Sequence, residues 1–417
     1  PYSARDAAAW GPFVTRHRRL AGMLEALDSA PAPDVAASSP GELIQLLSLA
    51  GKFRLLGRRD MAEFLRALPI SIWELLDDTF ESEPLKAAVA TGGIELHPQG
   101  PRSNGTGFVF LHYLTGASPG VVRGRGAWGA GAAAFIRAAE AAVRGAGAEI
   151  RTGVRVERLR VEDDRVAGVV LEGGEEISAR RVISTADPAH TLLRWIDPKW
   201  LDPEFMLAVR NLRHRGCTAF VMYALETPPE MPGLSDPQAL AGTLSLSPSL
   251  AGMERAADAA KYGEVPATPH VEVTLASARV PELAARGGHV LIARVHYVPY
   301  RLKGGATWDA AHAEALADRV TQIVESCSPG FSGRVMHRQC WSPAELERRY
   351  GYTEGAASGG ELGLDQILFM RPVPGWAGHT TPISGLFLGG AGSHPGPGIL
   401  GGAGWLAARR LLGDSRS

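Results

Sequence analysis

The sequence predicts an α/β protein of two domains, on three observations. Its 417 residues can bury a large core and exceed the usual length of one domain. Near the C-terminus the apolar run Leu386-Phe387-Leu388 leads into a glycine-rich loop and then an Ala-rich stretch at helical spacing, a strand–loop–helix unit. Between residues 190 and 350, strand-like runs and a helix-period stripe read as a different sheet with its own helices.

Composition narrows the class. Hydrophobic content of 45% and charged content of 21% are ordinary for a globular protein. A net charge of −1 gives no reason to expect a nucleic-acid partner. The three cysteines, Cys217, Cys327 and Cys340, lie far apart without a CxxC pair, which argues against a disulfide framework and a zinc site. No secretory signal opens the chain, and no run of 18 apolar residues marks a spanning helix. The expectation is a cytoplasmic protein, or one peripheral to a membrane.

Taken in order, residues 4–27 read as a helix, with Trp10, Phe13, Val14, His17, Leu20, Leu24 and Leu27 on one stripe and Ser3 as N-cap. Pro31, Pro33 and Pro40 break the chain. Helices follow at 41–56, 58–67, 71–79 and 83–90. Lys52, Arg54, Arg58 and Arg59 beside Phe53, Leu55 and Leu56 suit a solvated helix face or, on the sharper reading, a membrane-surface contact. Gly124, Gly126 and Gly129 spell GxGxxG before a helix at 130–145. A dinucleotide fingerprint needs a buried strand before it and an acid ending the next strand. Only Val121-Val122-Arg123 precedes this one, so it is not read as a fingerprint.

Residues 148–186 alternate short β runs with the turn signals Asp163-Asp164 and Gly173-Gly174, a small meander. A last apolar strand, 181–186, ends in Asp187-Pro188, where Asp187 reads as a turn residue. Strands are expected at 217–225, 270–276, 289–297 and 334–340, and helices at 309–327 and 343–350. His270, His289, His296 and His337 lie on strands without ligand spacing and are expected as packed or surface histidines. No Ser/His/Asp or Cys/His arrangement presents itself.

The loop between Leu388 and Ile399 carries Gly389, Gly390, Gly392, Gly396 and Gly398. Strand, glycine loop and a helix opening at Ile399 would aim unpaired N–H groups at one point, which suits an electron-rich ligand edge.

The run GLFLGGAGSHPGPGILGGAG resembles the C-terminal flavin signature of the phytoene-dehydrogenase-like FAD oxidoreductases. GAEI, V-x-x-L, a meander and S-x-ADP follow the order of that family, as do LDQILFMRPVPG and ESEPLKAAVAT. The resemblance spans nearly the whole chain. It implies FAD as cofactor and an FAD/NAD(P)-binding, glutathione-reductase-like Rossmann-type domain with an α+β substrate or cap domain. It places N–H groups of Ile399 and Leu400, with Gly398 and Gly401 beside them, at the flavin pyrimidine edge. Gly389, Gly390 and Ala391 would line the ribityl and pyrophosphate side, Val156 would pair with adenine, and Ala186 would lie near the cofactor. The family's first GxGxxG unit would precede residue 1, so the domain is expected to be N-terminally incomplete. Two departures touch the substrate side: Gly359-Gly360 where relatives carry a histidine, and GRGAWG before residue 130.

The expected division is a helical substrate or cap region 1–122, an FAD-domain segment 123–188, a substrate or cap domain 189–357 and a second FAD-domain segment 358–417. The expected activity is hydride abstraction from a C–H bond of an apolar, carotenoid- or terpenoid-like small molecule to flavin. No catalytic acid or base and no metal ligand is named. Val221 with Tyr223, and Val295 with Tyr297, share strand faces expected to line an apolar cavity. A flavin amine oxidase and a non-catalytic interaction protein are the alternatives.

Overall fold

A computed structural model describes residues 3–32, 40–116, 131–234, 237–247, 249–284 and 287–413. The GxGxxG glycines at 124, 126 and 129 lie outside the described residues.

The chain opens with helices α1 (Ala4–Asp28), α2 (Pro40–Leu55), α3 (Gly57–Ala67), α4 (Ile72–Asp77), α5 (Glu83–Ala90) and α6 (Thr106–Leu114). The Ser3 hydroxyl caps α1 by accepting from Asp6 N. Asp6 in turn accepts from Glu81 N and Ser82 N, tying the start of α1 to the start of α5. Every residue of α6 is buried, so it is the apolar centre around which the others pack. Phe13, Leu20 and Leu24 of α1 join Phe108, Phe110 and Leu111 of α6 in one core. Helix α7 (Gly131–Gly145) follows and buries no residue among those described.

Strands β1 (Val156–Glu162), β2 (Arg165–Leu171) and β3 (Glu176–Ser178) form the expected antiparallel meander. Strand β4 (Val182–Ser184) leaves that sheet and pairs in parallel with a strand some two hundred residues later, aligning Val182 with Leu386 and Ser184 with Leu388. After helix α8 (Pro203–Arg210) come β5 (Thr218–Leu225), β6 (Leu244–Ser245), α9 (Leu250–Lys261), β7 (His270–Leu275), the short α10 (Ala276–Arg279), β8 (His289–His296), α11 (Ala310–Cys327), β9 (Val335–Trp341) and α12 (Pro343–Tyr350). The five strands make an antiparallel sheet in the order β6-β7-β8-β5-β9. Leu316, Ala317, Val320 and Val324 of α11 pack on Val221, Tyr223 and Val295.

That packing corrects one expectation. Val221, Tyr223, Val295 and Tyr297 are at most 1% exposed and fill cores instead of lining a cavity. The Tyr223 hydroxyl meets Thr321 Oγ1 of α11 at 3.0 Å, and Tyr297 packs with the N-terminal helices. Alternation fixed which residues share a face; it could not show that a helix covers that face.

The chain closes with β10 (Leu386–Leu388) and α13 (Gly402–Gly413). The last helix starts three residues later than expected. Gly401 has φ +73°, a left-handed conformation that cannot continue a helix, so Ile399 and Leu400 sit in the turn ahead of it. Leu159, Val166, Leu192, Ile196, Val209, Ile383, Leu386 and Leu388 form the third core, which joins the meander to the C-terminal strand.

Candidate functional site

The β10–α13 turn opens onto a cleft of about 1110 Å³. Its walls include Gly389, Gly390, Ala391, Gly398, Ile399, Leu400 and Gly401, all named from sequence, with Trp405 of α13. Asp28 at the end of α1 and Thr115 after α6 line it from the far side. Ala186 lies beside the loop: a Cβ on Gly390 would stand 2.2 Å from the Thr185 carbonyl and 3.3 Å from that of Ala186. Val156, half-buried at the start of β1, does not line the cleft.

Some of the loop glycines are required by close packing on β4 and the turn after it. A Cβ at Gly389 would meet Ile183 Cγ2 at 2.8 Å, and one at Gly392 would meet Pro188 Cδ at 2.2 Å. These two, with Gly390, let the loop lie against the end of β4. Gly396, Gly398 and Gly401 instead supply positive φ values of 106°, 84° and 73° where the chain turns into α13.

Three buried side chains with no role assigned from sequence hold this loop. The Arg371 guanidinium, 2% exposed, donates to the carbonyls of Ser358, Gly360, Glu361, Gln366 and Ala391 at 2.7 to 3.2 Å. Burial without a carboxylate pulls it down to about 10, low for a guanidinium. Gly359 and Gly360 adopt φ +64° and +133°, and a Cβ on Gly359 would stand 2.5 Å from Gly392 N. Glycine at 359 therefore lets the 358–366 loop press against 391–392. His112 Nε2 lies 2.7 Å from the Pro397 carbonyl, and His394 Nε2 lies 3.3 and 3.1 Å from the carbonyls of Leu27 and Ala30. Both imidazoles donate from Nε2, since carbonyls only accept. The C-terminal end of α1 is thus bonded to the glycine loop. Burial lowers His394 to about 4.

Asp187 is a turn residue as expected. Its carboxylate accepts from His190 N at 2.8 Å and Thr353 N at 3.1 Å. Across the 358–366 loop from the glycine cleft lies a second cleft of about 600 Å³, whose lining includes Arg210, Arg213, Arg215, Lys261, Arg301 and Glu354. The buried Glu361 pairs with both Arg213 and Arg215.

His270 and His296, expected as separate packed residues, face each other across β7 and β8 with Glu272, their ligand atoms within 4.8 Å. Glu272 Oε2 already accepts from Arg294 Nη2 at 2.6 Å and lies 2.9 Å from His296 Nε2. A cation there would meet the Arg294 guanidinium, with which Glu272 already forms a buried ion pair.

The glycine cleft fits a flavin ring system. Among the described residues no Lys or Arg lines it, backbone forms much of its wall, and the N-terminus of the 12-residue α13 opens beside it. Known proteins agree. The profile of the family described as flavin containing amine oxidoreductase matches residues 63–412. Pyridine nucleotide-disulfide oxidoreductase domain-containing protein 2 of Rattus norvegicus is 33% identical over 435 residues, covering 100% of this chain and 74% of that protein. A neurosporene-forming phytoene desaturase of Cereibacter sphaeroides is 26% identical, covering 66% of this chain and 51% of that one. In fold, an oxidoreductase from Methanosarcina mazei superposes with a TM-score of 0.52 at 17% identity over 88% of this chain and 74% of its own. A putrescine oxidase triple mutant gives 0.50 at 12%, over 98% and 76%.

Proposed function

The chain belongs to the family of flavin-containing amine oxidoreductases, with FAD as cofactor, and from that premise we propose that it is a dehydrogenase acting on a C–H bond of a lipophilic small molecule. The observation that carries the reading is the cleft walled by Gly398, Ile399, Leu400 and Trp405, which offers backbone and apolar surface to a flat ring and its substrate. FAD supplies the hydride acceptor. The chain's residues bind, orient and keep water out. The turn at Ile399–Gly401 and the first N–H groups of α13 would hold the electron-rich edge of the ring and favour negative charge there. Gly389, Gly390 and Ala391 would take the ribityl side, with Ala391 held by Arg371. Val156 belongs on the adenosine side. The parallel β4–β10 pair followed by α13 supports reading this region as part of a glutathione-reductase-like Rossmann-type domain.

The substrate class draws on α2 and α3. Leu43, Ile44 and Leu47 are 55%, 67% and 63% exposed, and Lys52, Arg54, Arg58 and Arg59 follow them on the surface. Apolar side chains flanked by cations suit a peripheral contact with a lipid surface, from which a hydrocarbon is drawn. No described helix is long and apolar enough to cross a membrane. The test is anaerobic reduction of the bound flavin. Bleaching by lipophilic polyenes in detergent, and none by primary or secondary amines, is expected. Bleaching by amines alone would overturn the reading in favour of an amine oxidase.

A further inference from the structure

We propose that Asp28 is a flavin-contact residue, its Oδ2 meeting a polar atom of the ring system across the glycine cleft. The inference rests on the reading of that cleft as the flavin site. Asp28 closes α1, is 7% exposed, and lines the cleft together with Gly396, Pro397 and Gly398. Among the described residues its buried Oδ2 has no hydrogen-bond partner. A buried polar atom in that state is costly unless a ligand or solvent completes it.

The groups around it decide which form of the carboxyl is present. Glu25 lies one turn earlier on α1 and also lines the cleft. From α6, His112 Nδ1 stands 4.0 Å from Asp28 Oδ2. His112 donates to Pro397 from Nε2, so in the neutral imidazole Nδ1 presents a lone pair. From the glycine loop, His394 donates to the carbonyls of Leu27 and Ala30 and stays neutral. No described Lys or Arg lines the cleft to compensate a negative charge here. Burial first, and the charge of Glu25 second, raise Asp28 to about 8. At neutral pH it is a carboxylic acid that donates a hydrogen bond. Oxidised flavin presents carbonyl oxygens and ring nitrogens that accept one. Above that pH the carboxylate would face those same acceptors and repel them.

The experiment is flavin binding, read by quenching of flavin fluorescence from about pH 6 to about pH 10. Wild-type protein should lose affinity above about pH 8, approaching tenfold per pH unit. Asp28→Asn keeps a neutral donor at every pH, so it should bind like the low-pH wild type and show no such fall. Any titration of the flavin itself would appear in both proteins. Asp28→Leu, shown folded by circular dichroism, should bind weakly throughout. A flat wild-type profile, an equal fall in Asp28→Asn, or unimpaired Asp28→Leu would overturn the proposal. Absence of quenching in every protein at every pH would overturn the flavin reading itself and this inference with it.

Discussion

Arg371 grips Ala391 through two nitrogens, Nε at 3.2 Å and Nη2 at 2.7 Å from the same carbonyl. The same guanidinium holds the 358–366 loop, so one side chain ties that loop to the wall of the glycine cleft. Glu361 continues the link, because its backbone N donates to Arg213 O and its carboxylate pairs with Arg213 and Arg215.

The first prediction follows. Arg371→Met would leave several buried carbonyls without donors, each an unmet acceptor. The expected loss is on the order of 3 kcal/mol or more of stability, with flavin occupancy falling alongside. Arg371→Lys should recover only part, since a point-like ammonium has three donors where the fork has five. Chemical denaturation and the flavin-to-protein absorbance ratio read the two effects. Wild-type stability in Arg371→Met would show that the glycine cleft is held by something else.

Gly398 and Gly173 provide a matched pair. Both have positive φ, 84° and 98°, so valine strains the backbone at either. Gly398 lines the glycine cleft, whereas Gly173 turns between β2 and β3 with nothing within 4 Å of an added Cβ. Gly398→Val should therefore lose much more flavin than Gly173→Val at similar stability. Equal occupancy would remove the case for the cleft.

How much of this was legible follows physical lines. The helices before residue 95 announce themselves by 3.6-residue spacing, and β5, β7 and β8 by their runs of β-branched residues. The glycine loop was legible as a loop and by resemblance as a site. Why glycine is needed at 389, 390 and 392 was not, because a side chain there would meet Ile183, Thr185 and Pro188, far away in sequence. The same holds for His270 and His296: strand register brings them together, and no sequence spacing records a register. Arg371 carried no signal of its own, since a lone arginine between Met370 and Pro372 looks like a surface residue until the fold buries it.

Acid should loosen the loop through His394. Its ordinary value is 6.5 and burial lowers it to about 4 in the folded protein. The unfolded chain binds the proton first, so the stability tied to neutral His394 is complete above about pH 6.5 and is lost as pH falls towards 4. His17 and His97 behave alike for the same reason. Urea unfolding at several pH values through this window should show stability falling with acidity. His394→Gln should flatten that slope by about one proton and leave the remainder to the other histidines that burial lowers, His17, His97, His190 and His379. An unchanged slope in His394→Gln would mean that its imidazole is not held neutral.

The last prediction concerns the exposed face of α2. Leu43, Ile44 and Leu47 lie on one side of the helix, where water sees more than half of each, and Leu55 at its end is 87% exposed. Burying such a side chain in an apolar phase is worth ~1.5–3 kcal/mol, so three together would give measurable partitioning into a bilayer interface. Lys52, Arg54, Arg58 and Arg59 add attraction to anionic headgroups, which salt screens. Flavin-loaded protein should co-sediment with vesicles containing anionic lipid, and high salt should weaken this without abolishing it. Ile44→Asp with Leu47→Asp should abolish it while leaving the fold and flavin content intact, because neither side chain belongs to the buried core. Reduction of the flavin by a polyene delivered in vesicles should slow in that variant, yet remain normal with the same polyene in detergent. Vesicle binding unaffected by the two aspartates would place the membrane contact elsewhere, and no binding by the wild type would leave this apolar face to another partner.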